Sequence, residues 1–118
     1  MDSKEISEIV VRAADGKRAE DIVVLDMQKV SLMADYFVIA DANSNRQVKA
    51  IADEVIDQVQ ASDIQVYSVS GKDSAKWILI DLGDVIVHIF QKDVRAFYNL
   101  EKLWSDAPMV NIESWVEA

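Results

Sequence analysis

Asp35-Tyr36-Phe37-Val38-Ile39-Ala40-Asp41-Ala42-Asn43-Ser44-Asn45-Arg46-Gln47-Val48 is the stretch that decides the fold. Its first half, Tyr36 to Ala40, is aromatic and β-branched, as in a strand buried on both faces. Its second half changes period. Ser44 reads as a helix cap with Gln47 closing the box at the third position. Val48, Ile51, Ala52, Val55, Ile56 and Val59 then recur at the i, i+3, i+4 spacing of an amphipathic helix. Arg46, Lys49, Asp53 and Asp57 lie off that stripe, with Lys49 and Asp53 spaced for a weak pair. Beyond the helix, Ile64-Gln65-Val66-Tyr67-Ser68-Val69 alternates apolar and polar, which predicts a strand with one wetter face. Residues 36 to 69 therefore predict a right-handed parallel strand–helix–strand crossover.

Toward the N-terminus, Asp21-Ile22-Val23-Val24-Leu25-Asp26 is a short apolar run bounded by acids and predicts another strand inside a sheet. Residues 27 to 35 are mixed in polarity and predict a loop with a helical turn. Ile6, Ile9, Val10, Ala13 and Ala14 mark a first amphipathic helix, with Asp2 and Glu5 spaced as a capping box and Gly16 as its stop. Toward the C-terminus, Gly71-Lys72-Asp73-Ser74 is a polar turn. Trp77-Ile78-Leu79-Ile80 and Val85-Ile86-Val87-His88-Ile89-Phe90 are strands joined through Asp81-Leu82-Gly83-Asp84, an antiparallel hairpin. The expected fold class is α/β, a mixed sheet of about five strands flanked by helices. No repeat or linker divides residues 1–118, so they read as one domain.

The segment after Asp93 cannot be one straight helix on the sheet. At 100° per residue, Phe97 and Tyr98 fall on the side of Val94, whereas Leu100, Leu103 and Trp104 fall opposite. A break at Asn99, with Asn99 capping a second short helix that ends near Asp106, resolves the conflict. Pro108 prevents simple continuation.

Lys plus Arg total 12 against 21 Asp plus Glu, a net charge of −9 on 118 residues that are 51% hydrophobic. The balance argues against dominant binding to phosphate backbones and for a basic partner. With no cysteine and one histidine, disulfides, thiolate chemistry and Cys- or His-rich metal sites are excluded. The apolar runs are too short for a membrane span, and the N-terminus lacks the pattern of a signal peptide, so a cytoplasmic protein is expected. Asp26, Asp35, Asp41, Asp81 and Asp84 could gather around magnesium for phosphoryl or nucleotidyl transfer. Strand ends, turns and caps account for the same residues, and three glycines make no phosphate-cradling loop. His88, in mid-strand, reads as a structural hydrogen-bonding residue. Neither a cofactor nor a catalytic set is expected. The aromatics Trp77, Tyr98, Trp104 and Trp115 sit at a strand start, helix ends and the tail. There they either cover the sheet or, if exposed with Leu82 and Leu100, form a docking face.

Three stretches together resemble the ribosomal silencing factor family, also called Iojap-like. They are Ala19-Glu20-Asp21-Ile22-Val23-Val24-Leu25-Asp26, then Asp35-Tyr36-Phe37-Val38-Ile39-Ala40 through Asn43-Ser44-Asn45-Arg46-Gln47-Val48, and then Trp77 through Phe90. The last runs on into Val94-Arg95-Ala96-Phe97-Tyr98-Asn99-Leu100-Glu101-Lys102-Leu103-Trp104. The resemblance covers about residues 4 to 110, and the tail 109–118 falls outside it. It implies an α/β fold of nucleotidyltransferase-like topology that is not an enzyme. The implied partner is the large ribosomal subunit, met through its protein fourteen with little direct RNA contact. Occupying that place would block joining of the small subunit and lower translation when nutrients are scarce. Asp41-Ala42-Asn43-Ser44 stands where an active nucleotidyltransferase has a Gly-Ser pair, and the paired aspartates are missing. On this resemblance Trp77, Tyr98 and Leu100 form the apolar centre of the interface, and Asn99 and Glu101 supply hydrogen bonds and charge. Leu82 and Trp104 complete the expected set. A divergent magnesium-dependent nucleotidyltransferase is the competing reading, and a homodimer off the ribosome is left open.

Overall fold

The computed structural model describes residues 1–117. Helix α1 (Ser3–Gly16) precedes strands β1 (Glu20–Asp26) and β2 (Tyr36–Ala42), helix α2 (Asn45–Ala61), and strands β3 (Ser68–Ser70), β4 (Trp77–Asp81) and β5 (Val85–Gln91). Helices α3 (Lys92–Tyr98) and α4 (Leu100–Leu103) follow, then a 3₁₀ turn, Glu113–Trp115. The five strands form one sheet in the order β1-β2-β5-β4-β3. Only β2 and β5 are parallel neighbours, and the remaining pairs are antiparallel. The expected mixed α/β sheet is therefore present. Strands β2 and β3 run the same way with two strands between them, so the passage from 36 to 70 is a parallel crossover.

Local chemistry explains most boundaries. Asp2 and Glu5 form both halves of the capping box on α1, with Glu5 N–H donating to the Asp2 carboxylate at 2.8 Å. Ser44 caps α2 by accepting from Gln47 N–H at 3.2 Å. The Gln47 side chain does not return to the cap; its amide donates to the Arg18 carbonyl at 3.4 Å. Nor does Asp53 pair with Lys49, because it takes Lys72 at 2.8 Å instead.

Two strands differ from expectation. Strand β3 keeps only Ser68–Ser70 of the alternating run from Ile64. Its partner β4 ends at Asp81, opposite Ser68, and then turns back, so residues before Tyr67 have no ladder to join. Strand β1 lies at an edge, although its apolar run predicts a strand inside the sheet. The C-terminal segment supplies the missing neighbour: Asp26 N–H donates to Pro108 O at 2.8 Å and Val110 N–H to Val24 O at 2.9 Å. The Val24–Asp26 end of the edge is covered in this way and offers no free template for pairing.

The sheet has two unequal faces. Val24, Tyr36, Val38, Ile78, Ile80, Val85, Val87 and Ile89 pack under α1 and α2 in the main core, which Trp115 also joins. Burying side chains of this size stabilises by about 1.5–3 kcal/mol each, which makes this face the foundation of the fold. Leu25, Ile39 and Phe90 point the other way, into a smaller cluster with Leu100 and Ala107. Helices α3 and α4 cover only part of that second face. Phe37, Trp77, Leu79 and Ile86 remain half-exposed on it.

Candidate functional site: an aromatic rim on the half-covered face

The rim begins at Trp77, the first residue of β4. Gly71, at φ +89°, brings the preceding turn so close that a Cβ there would lie 2.1 Å from the Trp77 carbonyl oxygen. No side chain fits, so the turn fixes where β4 starts and where the indole emerges. The Trp77 ring packs 4.8 Å from both Phe90 and Tyr98, and Phe97 stands edge-on to Tyr98 at 5.2 Å. Offset and edge-to-face contacts of this kind add roughly 0.5–1.5 kcal/mol beyond simple burial. A groove of about 450 Å³ runs between Ser74, Lys76 and Trp77 on one side and Val94, Phe97 and Tyr98 on the other.

The corner that carries Tyr98 breaks where the helical angles require it. Asn99 adopts φ 48°, ψ 62°, closes α3 and accepts from Lys102 N–H at 3.3 Å to cap α4. Asparagine tolerates the left-handed region better than most side chains. The turn leaves Phe97 82%, Tyr98 52% and Leu103 71% exposed. These three form an apolar ridge that no part of the described chain covers.

Beneath the corner lies a buried charge network. The Arg95 guanidinium donates from Nη1 to Asp41 Oδ2 at 3.0 Å and to the Asp21 carbonyl at 2.6 Å, and from Nη2 to Glu101 Oε2 at 3.2 Å. It thus ties β1, β2 and α4 together. Burial pushes the Asp41 carboxyl up from its usual range, with the Arg95 hydrogen bond and charge opposing. Asp41 Oδ1 has no partner among the described residues. Glu101, held by Arg95, is partly exposed next to Asn99 and gives the rim an acidic flank.

The structure brings together five of the expected interface residues: Trp77, Tyr98, Asn99 and Glu101 line the rim, and Trp104 is half-buried, edge-on to Phe37 at 6.0 Å. Leu100 is placed differently. It is 9% exposed and its side chain belongs to the smaller core cluster, so it supports the corner from inside and is not the apolar centre. Leu82 is 4% exposed and belongs to the main core, in the hairpin five residues along β4 from Trp77. At the rise of a strand that is roughly 16 Å from the rim. Trp115, which the sequence left between core and surface, is buried. Phe97 and Leu103 take the exposed places instead. The helical angles hold the signal for Phe97, which shares the face of Tyr98, and the break at Asn99 frees Leu103 from the sheet.

Three of the five candidate aspartates are already engaged: Asp41 by Arg95, and Asp81 and Asp26 by backbone. Asp81 Oδ1 accepts from Gly83 N–H at 2.8 Å and Asp26 Oδ1 from Gln28 N–H at 3.0 Å. Among the described residues no three His, Asp or Glu side chains group so as to hold a metal ion. His88 is buried; its Nδ1 accepts from the Trp77 indole N–H at 3.1 Å, and burial lowers its pKa to about 4. No helix is long and apolar enough to cross a membrane among the described residues.

A mixed α/β sheet with one face sealed by two helices and an aromatic, acid-flanked rim on the other defines the structural class. The chain belongs to the ribosomal silencing factor family: the family model described as "Ribosomal silencing factor during starvation" matches residues 1–118. It is 54% identical over 113 residues to the ribosomal silencing factor of Bacillus subtilis, covering 96% of each chain. A crystal structure of a Bacillus halodurans protein superposes with a TM-score of 0.83 at 47% identity, covering 92% of this chain and 99% of that one. A Chromobacterium violaceum crystal structure superposes with a TM-score of 0.87 at 34% identity, covering 89% and 88%. Membership makes this a regulatory protein of the ribosome.

Proposed function

We propose that this chain docks on the large ribosomal subunit through protein fourteen of that subunit and prevents the small subunit from joining, lowering translation when nutrients are scarce. The observation that carries the reading is the uncovered ridge of Phe97, Tyr98 and Leu103 beside Trp77. Large aromatic anchors at the centre of a surface supply most of the energy in protein interfaces, each costing about 2 kcal/mol or more on truncation. The acidic flank at Glu101, on a chain of net charge −9, suits a basic ribosomal protein and disfavours RNA phosphates. Docking needs no catalytic group. The bulk of the domain excludes the small subunit once it is held, and all of this takes place in the cytoplasm.

The whole chain is mixed with isolated large subunits and recovered by co-sedimentation. Tyr98→Ala and Trp77→Ala are expected to bind at least tenfold more weakly than wild type, by the conversion of 1.4 kcal/mol per decade. Undiminished recovery of both folded variants removes the rim from the interface. Off the ribosome the same ridge is open to a second copy, which sedimentation of the free protein over a concentration range reads directly. No observation favours the nucleotidyltransferase reading.

A further inference from the structure

Trp77 stands at the centre of the proposed docking face, and its ring is held from inside the sheet. Trp77 pairs with Phe90 and Leu79 with His88 across the β4–β5 ladder, so Trp77 and His88 are diagonal neighbours on one face. The indole N–H donates across that diagonal to His88 Nδ1 at 3.1 Å. His88 is itself clamped: Phe90 lies nearly parallel to its ring, 6.2 Å away at 11°, and Phe37 meets it edge-on at 4.8 Å. Its acceptor nitrogen therefore points in one direction. The ring is buried and neutral, so Nδ1 keeps its lone pair and the proton sits on Nε2. That Nε2 has no hydrogen-bond partner among the described residues. A buried, unpaired donor is a cost that leucine or phenylalanine at the same place would not carry. Packing alone does not explain an imidazole here, whereas the bond to Trp77 does.

We propose that His88 is a positioning residue for docking: it holds the Trp77 indole in the orientation in which it faces Tyr98 and presents its exposed edge to the partner. The proposal rests on the docking reading above. Without the acceptor, the indole N–H must find water, and the simplest way is for the ring to swing off Phe90. The groove between Trp77 and Tyr98 then loses one wall.

The test uses the whole chain and isolated large subunits, with His88→Leu, His88→Gln, Trp77→Ala and wild type compared after chemical denaturation shows each to be folded. His88→Phe replaces the leucine variant if that one does not fold. His88→Leu is expected to bind about tenfold more weakly, while His88→Gln, whose amide oxygen can accept from the indole, stays within about threefold of wild type. Hydrogen exchange of the Trp77 indole N–H in the free protein gives an independent readout: slow in wild type and His88→Gln, fast in the apolar variant. A folded His88→Leu that binds like wild type, or a glutamine variant no better than leucine, overturns the role of His88. If Trp77→Ala alone weakens binding, only the positioning proposal falls. If Trp77→Ala binds at full strength, the docking assignment of Trp77 falls, and the positioning role falls with it.

Discussion

Lowering the pH from 7 to 5 should destabilise this protein through one buried side chain. Burial holds the pKa of His88 at about 4, against the ordinary 6.5 of an unfolded chain. Below pH 6.5 the unfolded chain takes up a proton that the folded one refuses, so folding stability falls with pH. The contribution of the neutral ring is complete above 6.5 and is lost as pH falls toward 4. Integrated between pH 7 and 5, that difference is about 2 kcal/mol, a large part of the stability of a domain this size. Urea denaturation of wild type and His88→Gln at both pH values measures it. Carboxylates such as Asp41, whose pKa burial shifts the opposite way, upward, titrate alike in the two proteins and cancel in the comparison. Wild type is expected to lose about 2 kcal/mol more than the glutamine variant. Equal losses would show that the folded molecule protonates His88 freely, and that burial does not keep its Nδ1 an acceptor at low pH.

Arg95→Ala leaves the buried Asp41 carboxylate without its counter-charge, and breaking one side of such a pair typically costs about 3–5 kcal/mol, readable by thermal or urea denaturation. Asn99→Gly should leave both helices in place, since glycine takes φ 48° freely, whereas Asn99→Val should cost about 1–3 kcal/mol and disorder the corner that presents Tyr98. A thermal melt separates the two variants. Docking to large subunits should weaken as salt rises, because acidic charge steers the encounter, yet persist at high salt through the apolar ridge. Salt-independent binding would mean that the net charge plays no part.

Much of this architecture is written in local patterns. The Ser44 cap, the stripe from Val48 to Val59, the Asp2–Glu5 box and the Gly83 hairpin depend on contacts within a few residues. The angular conflict between Tyr98 and Leu100 likewise forces the break at Asn99 wherever the segment packs. Pairing is a different matter. Nothing in Asp21 to Asp26 says that this strand is an edge, because its free side is covered by Pro108 to Val110, more than eighty residues away in sequence. Ile64 to Val66 alternate like a strand and still have no partner, because β4 turns back at Leu82.

The same division runs through the rim. Residue type and position bring Trp77 and Tyr98 into consideration, whereas Asn99 and Glu101 enter as interface residues only through the family resemblance. Which apolar side chains face solvent was decided by the tertiary structure. Leu82 and Leu100 look as suited to a surface as Phe97 and Leu103, but the former two fill space against the sheet and the latter two have nothing above them. Exposure depends on what the rest of the chain leaves uncovered. The Arg95 network and the Trp77–His88 bond are longer-range still, joining residues that only the folded sheet brings within 3.2 Å.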